Sequence, residues 1–163
     1  MNQNEYKWVK QNRITLLNFC SELKPDDFSR QLDGFGFQSI KEALVHTADC
    51  YIAWLGSYVL LKTKRPLTPK ENISQISLED IKLRFDLVDT YLNEVIDTFS
   101  EEMNLPIQRH IPWRESGDEI SITPMKLLIH TITHEYHHKG QIVSMARHMG
   151  YVPPNTDVLG TDD

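Results

Sequence analysis

The chain has 163 residues, of which 40% are apolar and 25% charged, with a formal net charge of -6. A chain of this length can bury about two-thirds of the surface that its unfolded form exposes. This predicts a single domain that folds without cross-links such as disulfide bonds. The acidic balance argues against a nucleic-acid-binding protein and a membrane-surface protein, because both need a basic face. The longest nearly uninterrupted apolar run, residues 51–61, is shorter than the roughly 20 residues that a membrane-spanning helix needs.

The first residues lack the basic and apolar regions of a signal peptide, which predicts a cytoplasmic protein. The two cysteines, Cys20 and Cys50, both fall within predicted helices and form no disulfide framework. We therefore expect both thiols to be reduced.

Four helices are predicted along the chain. The first covers residues 4–23, where apolar residues recur at three- and four-residue spacings before Pro25. The second covers residues 39–64, beginning at a capping-box sequence and ending before Pro66.

The third predicted helix covers residues 77–102, and its apolar positions alternate between spacings of four and three as in a bundle seam: Ile81, Phe85, Val88, Leu92, Val95 and Phe99. The fourth covers residues 124–149, between Pro124 at its start and Gly150 after its end. These helices predict an all-α fold, a single antiparallel four-helix bundle over residues 1–163 whose helix order is left open.

Two of the segments outside the helices carry predictions of their own. In residues 104–122 the helical pattern is lost, and residues 107–111 and 119–121 are candidates for a short hairpin. The polar tail, residues 155–163, is expected to be mobile.

Four of the seven histidines lie in the last helix: His130, His134, His137 and His138. At 100° per residue, His134 and His138 lie on the same core-facing arc. Two inward imidazoles one turn apart need partners for their ring nitrogens, and a divalent metal ion would satisfy both. His130 and His137 lie nearer the edge of the stripe, where a structural or subunit-facing role is expected.

A metal site needs a third ligand from another helix, and His46 is the best candidate because its stripe on the second helix is lined by small residues. Three histidines leave coordination positions open, as in reactive centres. Cys50, one turn after His46, is a candidate fourth ligand or nucleophile, although a small core residue is the commoner role. The alternatives are three separately satisfied core histidines or a purely structural metal site.

The sequence His134-Glu135-Tyr-His-His138 also matches the zinc-peptidase helix, in which Glu135 would be the general base. No glutamate follows Glu135 to supply a third ligand, and Ser144 stands where the extended motif requires a histidine. Peptidase or hydrolase activity is therefore a lesser alternative.

The motif His134-x-x-x-His138-x-Gly140-Gln141, with His46 on an earlier helix, resembles the DinB-like family of small bacterial helical proteins. Further matching positions are Tyr6-Lys-Trp8, Asn12, Trp54 and Ile111-Pro112-Trp113. The resemblance implies a four-helix bundle, commonly dimeric, whose three histidines bind a divalent ion, often nickel or zinc. Some relatives are transferases or isomerases that use bacillithiol or mycothiol.

Carried onto this chain, the resemblance implies His46, His134 and His138 as metal ligands, with Gln141 as a candidate hydrogen-bond partner behind His138. Glu135 points about 100° away from His134 and has only the motif in its favour as a base.

The leading hypothesis is a metal-dependent thiol S-transferase that joins a small-molecule thiol to an electrophile during stress and acts as a homodimer. The alternatives are a metal-binding stress protein without turnover, or helical dimerisation without metal. The resemblance is the reason to expect zinc or nickel. Three imidazoles by themselves would also accept copper or iron.

Overall fold

The computed structural model describes residues 1–162 and confirms the all-α fold. Within these residues it contains five α-helices, one π-helical segment, two 3-10 turns and one two-stranded sheet. The α-helices are α1 (Gln3–Ser21), α2 (Pro25–Phe28), α3 (Ile40–Tyr51), α4 (Leu78–Thr98) and α5 (Pro124–His148). A π-helical segment (Ile52–Val59) continues α3, 3-10 turns cover Lys70–Gln75 and Val158–Gly160, and the strands are β1 (Ile107–Arg109) and β2 (Ile120–Ile122).

The helix order around the core is not sequential. Helix α3 packs against both α4 and α5, and α1 packs against α4. An ion pair between Arg13 of α1 and Glu135 of α5 closes the ring on the remaining side. The order α1, α4, α3, α5 is possible because the connection between α3 and α4 is long enough to cross the bundle.

Local sequence signals set where most helices begin. Asn2 and Glu5 form a capping box at the start of α1, and Ser77 and Asp80 form one at the start of α4. The N-cap Ser39 of α3 accepts a hydrogen bond from the Glu42 backbone, but the Glu42 carboxylate accepts from Gln38 rather than from the cap residue. That box is therefore only half formed.

The second predicted helix ends earlier than residue 64. After Tyr51 the backbone widens into the π-helical segment, and Leu61 then adopts a left-handed conformation with φ of 57°. Within that segment a Cβ on Gly56 would lie 2.5 Å from the Tyr91 ring of α4. Glycine therefore permits a contact between helices that any other residue would block.

The first and third predicted helices are also too long. Helix α1 ends at Ser21, and α4 ends at Thr98 rather than at residue 102. After α4 the chain forms turns that bring Met103 into the core, where its carbonyl accepts a hydrogen bond from the Met125 backbone. This bond satisfies one of the free N–H groups in the first turn of α5.

The hairpin prediction is confirmed. Strand β1 pairs antiparallel with β2, with Gln108 opposite Ser121. The Tyr58 hydroxyl reaches the carbonyls of Ile107 and Ile120 at 2.8 Å each, which ties the hairpin to the π-helical segment.

The mobility of the tail stays a prediction, and the structure gives the contacts of its described part. The Val158–Gly160 turn packs on α1, and the Thr156 carbonyl accepts hydrogen bonds from Asn12 and from Lys139. Buried Asn12 and half-buried Lys139 thus join the tail to α1 and α5. Residue 163 lies outside the described residues.

No helix within residues 1–162 is long and apolar enough to cross a membrane.

Candidate metal centre

Three histidine rings from two helices meet at one point of the bundle. His46 on α3 places its Nε2 atom 2.9 Å from Nε2 of His134 on α5. Nε2 of His138, one turn further along α5, lies 3.1 Å from the same His134 atom. The structure thus brings together the three histidines that the sequence singled out.

Gln141 fixes the orientation of one of these rings. Its Oε1 lies 2.8 Å from Nδ1 of His138, so Nδ1 carries the proton and donates it to the amide oxygen. The Nε2 atom of His138 then keeps its lone pair and directs it at the other two rings. The amide nitrogen of Gln141 lies 3.1 Å from Nε2 of His137.

The electrostatics keep the three rings neutral. Burial, followed by the neighbouring His138 and His46, lowers the pKa of His134 to about 4. Burial is also the main reason that the pKa values of His46 and His138 are lowered. Neutral imidazoles are the form in which histidine binds metals.

The spacing of the three nitrogens fits a bound ion. Nitrogens that ligate a tetrahedral metal at about 2.0–2.1 Å are roughly 3.3 Å apart, close to the 2.9 and 3.1 Å seen here. The ligand atoms of His46, His134 and His138 all lie within 4.8 Å of one another, and the group could hold a metal ion.

Phe37 forms an apolar wall beside the group. Its ring stacks on His46 with centroids 4.4 Å apart and meets His138 edge-on at 5.1 Å. Phe37 follows Gly36 in the connection before α3 and carries no motif that marks it as part of a site. His46 and His134 remain partly exposed, so the group is open to small molecules on one side.

His130 and His137 are exposed, as their position at the edge of the stripe suggested. Nε2 of His130 lies 3.8 Å from Sγ of Cys50, and its ring meets Trp54 edge-on at 6.0 Å. Burial, followed by the Asp49 charge, raises the pKa of the Cys50 thiol to about 12. By the positions of its ligand atoms, Cys50 lies beside the three-histidine group and is not a member of it.

The structure corrects the suggestion that Glu135 is a general base. Its side chain is buried on a different face of α5 from the His134 ring, where Arg13 donates two hydrogen bonds of 2.8 Å, one to each carboxylate oxygen. The Tyr51 hydroxyl donates a third at 2.6 Å. A carboxylate held by a guanidinium and a phenol has no free oxygen with which to activate water, so the match to the peptidase motif does not extend to its mechanism.

Arg13 links this carboxylate to a second one. Its Nη1 donates to Asp89 of α4 at 2.6 Å, and Lys10 lies 2.8 Å from the other Asp89 oxygen. Tyr6 also donates to Asp89. We call Tyr6, Lys10, Arg13, Tyr51, Asp89 and Glu135 the buried ion network. The sequence signal for this network is Arg13 itself, an arginine within the apolar stripe of α1, four residues after Val9; it was not among the predicted site residues.

Three neutral histidines from two helices converge in an all-α bundle. The fold and the site together define a helical protein with a candidate metal centre in the bundle. The model of the DinB family matches residues 1–163, and the chain belongs to that family. The resemblance drawn from the histidine motif is thereby confirmed.

Two proteins of Bacillus subtilis (strain 168) are similar to the chain. YizA is 26% identical over 161 residues, covering 96% of this chain and 91% of YizA. The protein named DinB is 25% identical over 159 residues, covering 92% of this chain and 85% of its own length. Neither name states a reaction.

Proposed function

We propose that the protein is a metal-dependent thiol S-transferase that joins a low-molecular-weight thiol to a small electrophile. The observation that carries the proposal is the convergence of three imidazole nitrogens from His46, His134 and His138, with separations of 2.9 and 3.1 Å between neighbours. Three protein ligands leave coordination positions for a reactant. Zinc and nickel both suit imidazole ligands.

A divalent ion at this position would supply Lewis acidity that lowers the pKa of a thiol and favours the nucleophilic thiolate. The side chains of this protein supply the rest. His46, His134 and His138 hold the ion, and Gln141 keeps His138 in the tautomer that presents Nε2. Phe37 shields one side of the group from water.

The exposed side of the group offers a surface for the electrophile. Trp54 lies between His130 and Trp113, with ring centroids 6.0 Å and 5.3 Å away. In the transfer the thiol proton passes to solvent, a sulfur–carbon bond forms and the leaving group departs with its electron pair. Apolar contact with the tryptophans would orient the electrophilic carbon.

The test begins with protein purified without chelators or affinity resin. Elemental analysis of the native protein is expected to find one zinc or nickel ion per chain. The same sample is then incubated with a thiol, cysteine or bacillithiol, and a panel of chloronitroarenes and epoxides, and consumption of both reactants is followed. His46→Ala should abolish turnover together with metal retention at the three-histidine group.

His110→Ala is the matched control, because His110 is an exposed histidine of the hairpin loop that hydrogen-bonds only to the Gly117 carbonyl and faces Glu119. It should keep both metal and turnover. Protein without metal would overturn the proposal. Stoichiometric metal without consumption of any thiol would overturn the transferase and favour metal binding without turnover.

A further inference from the structure

A second set of ligand atoms lies one helical turn from the three-histidine group. Cys50 follows His46 by one turn on α3, and His130 precedes His134 by one turn on α5. Sγ of Cys50 is 3.8 Å from Nε2 of His130, and the ligand atoms of Cys50, His130 and His134 all lie within 4.8 Å of one another. The contact between α3 and α5 therefore presents two consecutive sets of donor atoms that share His134.

The two sets differ in chemistry. The first consists of imidazoles only, whereas the second contains a sulfur atom. In a tetrahedral site with a metal–sulfur distance of about 2.3 Å and a metal–nitrogen distance of about 2.0–2.1 Å, sulfur and nitrogen lie roughly 3.6 Å apart. The observed 3.8 Å between Cys50 and His130 is close to that value. We propose that Cys50, His130 and His134 form a second cation position, selective for thiophilic ions.

The surroundings of Cys50 distinguish it from an ordinary core cysteine. Cys20 is also buried, but it belongs to no group of candidate ligands within residues 1–162. Cys50 lies beside the exposed ring of His130, which gives an ion a route from solvent. On binding, the S–H bond of Cys50 breaks, a sulfur–metal bond forms and the proton passes to water.

The shared histidine makes the two positions mutually exclusive. A neutral imidazole has one lone pair, so His134 serves one ion at a time. We therefore expect one ion per chain, with nickel on the three histidines and softer ions displaced toward the thiol. This position requires only its donor atoms and does not rest on the proposed reaction.

The experiment titrates metal-free protein with Cd²⁺ and follows the sulfur-to-metal charge-transfer absorption in the ultraviolet. Wild-type protein should saturate at one ion per chain with a thiolate band. Cys50→Ser and His130→Ala should each lose the band, and Cys20→Ser, the matched control, should keep it. Because His130 is exposed, its variant tests the position even if Cys50→Ser folds poorly.

A double variant separates the two positions. His46→Ala combined with His138→Ala removes two ligands of the three-histidine group and leaves Cys50, His130 and His134. It should still bind Cd²⁺ with the thiolate band, and adding Cys50→Ser should abolish it. Absence of the band in wild-type protein, or its persistence in Cys50→Ser or His130→Ala, would overturn the second position. Neither result depends on turnover, so failure here is distinguishable from failure of the transferase.

Discussion

Two polar clusters lie on different faces of α5, one at His134 and the other at its neighbour Glu135. In the buried ion network each charge has a partner, since Arg13 meets both Glu135 and Asp89. In the histidine group three neutral rings present nitrogen atoms to one another at 2.9 and 3.1 Å. Because the rings are neutral, none of them can neutralise a charge on a neighbouring group.

This difference separates a structural cluster from a ligand site. A network whose donors and acceptors are matched has nothing left to offer a ligand, and it fixes how α1, α3, α4 and α5 meet. Lone pairs that converge without enough protons between them create a demand for a cation. Adjacent residues serve these two purposes because successive side chains on a helix point about 100° apart.

The largest effect is expected from Arg13→Met, which removes the cation between two buried carboxylates. Breaking a buried ion pair at one partner costs about 3–5 kcal/mol, and the free energy of unfolding in urea should fall by that amount. The control is Arg30→Ala, because Arg30 is exposed and lies 3.6 Å from Asp27; an exposed pair contributes about 0–1 kcal/mol. Equal losses in the two variants would contradict the role assigned to the network.

A smaller loss is expected from Tyr51→Phe. The Tyr51 hydroxyl donates to Glu135 at 2.6 Å, and a hydrogen bond to a charged group contributes about 1.5–3 kcal/mol. Tyr136→Phe is the matched control, because the buried Tyr136 hydroxyl has no hydrogen-bond partner within residues 1–162. Thermal unfolding should show a clear loss for the first variant and none for the second.

Gln141→Leu tests the histidine group without touching a ligand. Removing the acceptor at Nδ1 of His138 frees the ring to adopt the wrong tautomer, and loss of such a partner typically weakens metal binding by about 10- to 100-fold. Competition with a chromogenic chelator measures the change. Gln108→Leu, at an exposed glutamine of the hairpin, should leave the affinity unaltered. An unchanged affinity in Gln141→Leu would remove Gln141 from the site.

The smallest effect is expected from pH. Burial alone would raise the pKa of Asp89, but Arg13 and the hydrogen bond from Lys10 hold it below its ordinary value of 3.8. The ionised carboxylate therefore stabilises the fold above the unfolded-state pKa, and that stabilisation is lost as the pH falls through the folded-state pKa. Urea unfolding at a series of acidic pH values should show the loss.

In Asp89→Asn the acid loss should be shallower, because the substituted side chain does not titrate. Asp86→Asn, an exposed position on the same helix, should keep the wild-type acid profile. An acid profile in Asp89→Asn as steep as that of wild-type protein would contradict the assignment.

Much of the fold was predictable because its signals are local. Capping residues, prolines and Gly150 mark helix ends within a few residues of where they occur, and the spacing of apolar residues in α4 identifies its buried face. The predictions failed where the decisive contact is distant in sequence. Helix α3 gives way to the π-helical segment in which Gly56 meets Tyr91 of α4.

The sequence by itself determined that His134 and His138 share one face of a helix, because helical periodicity is a property of the chain alone. Only the tertiary structure decided that Glu135 belongs to the buried ion network and not to the histidine group, since its partner Arg13 is 122 residues away. Tertiary structure likewise placed Cys50 beside His130 across the contact between α3 and α5. Side-chain direction follows from local geometry, whereas the choice of partner depends on how the helices pack.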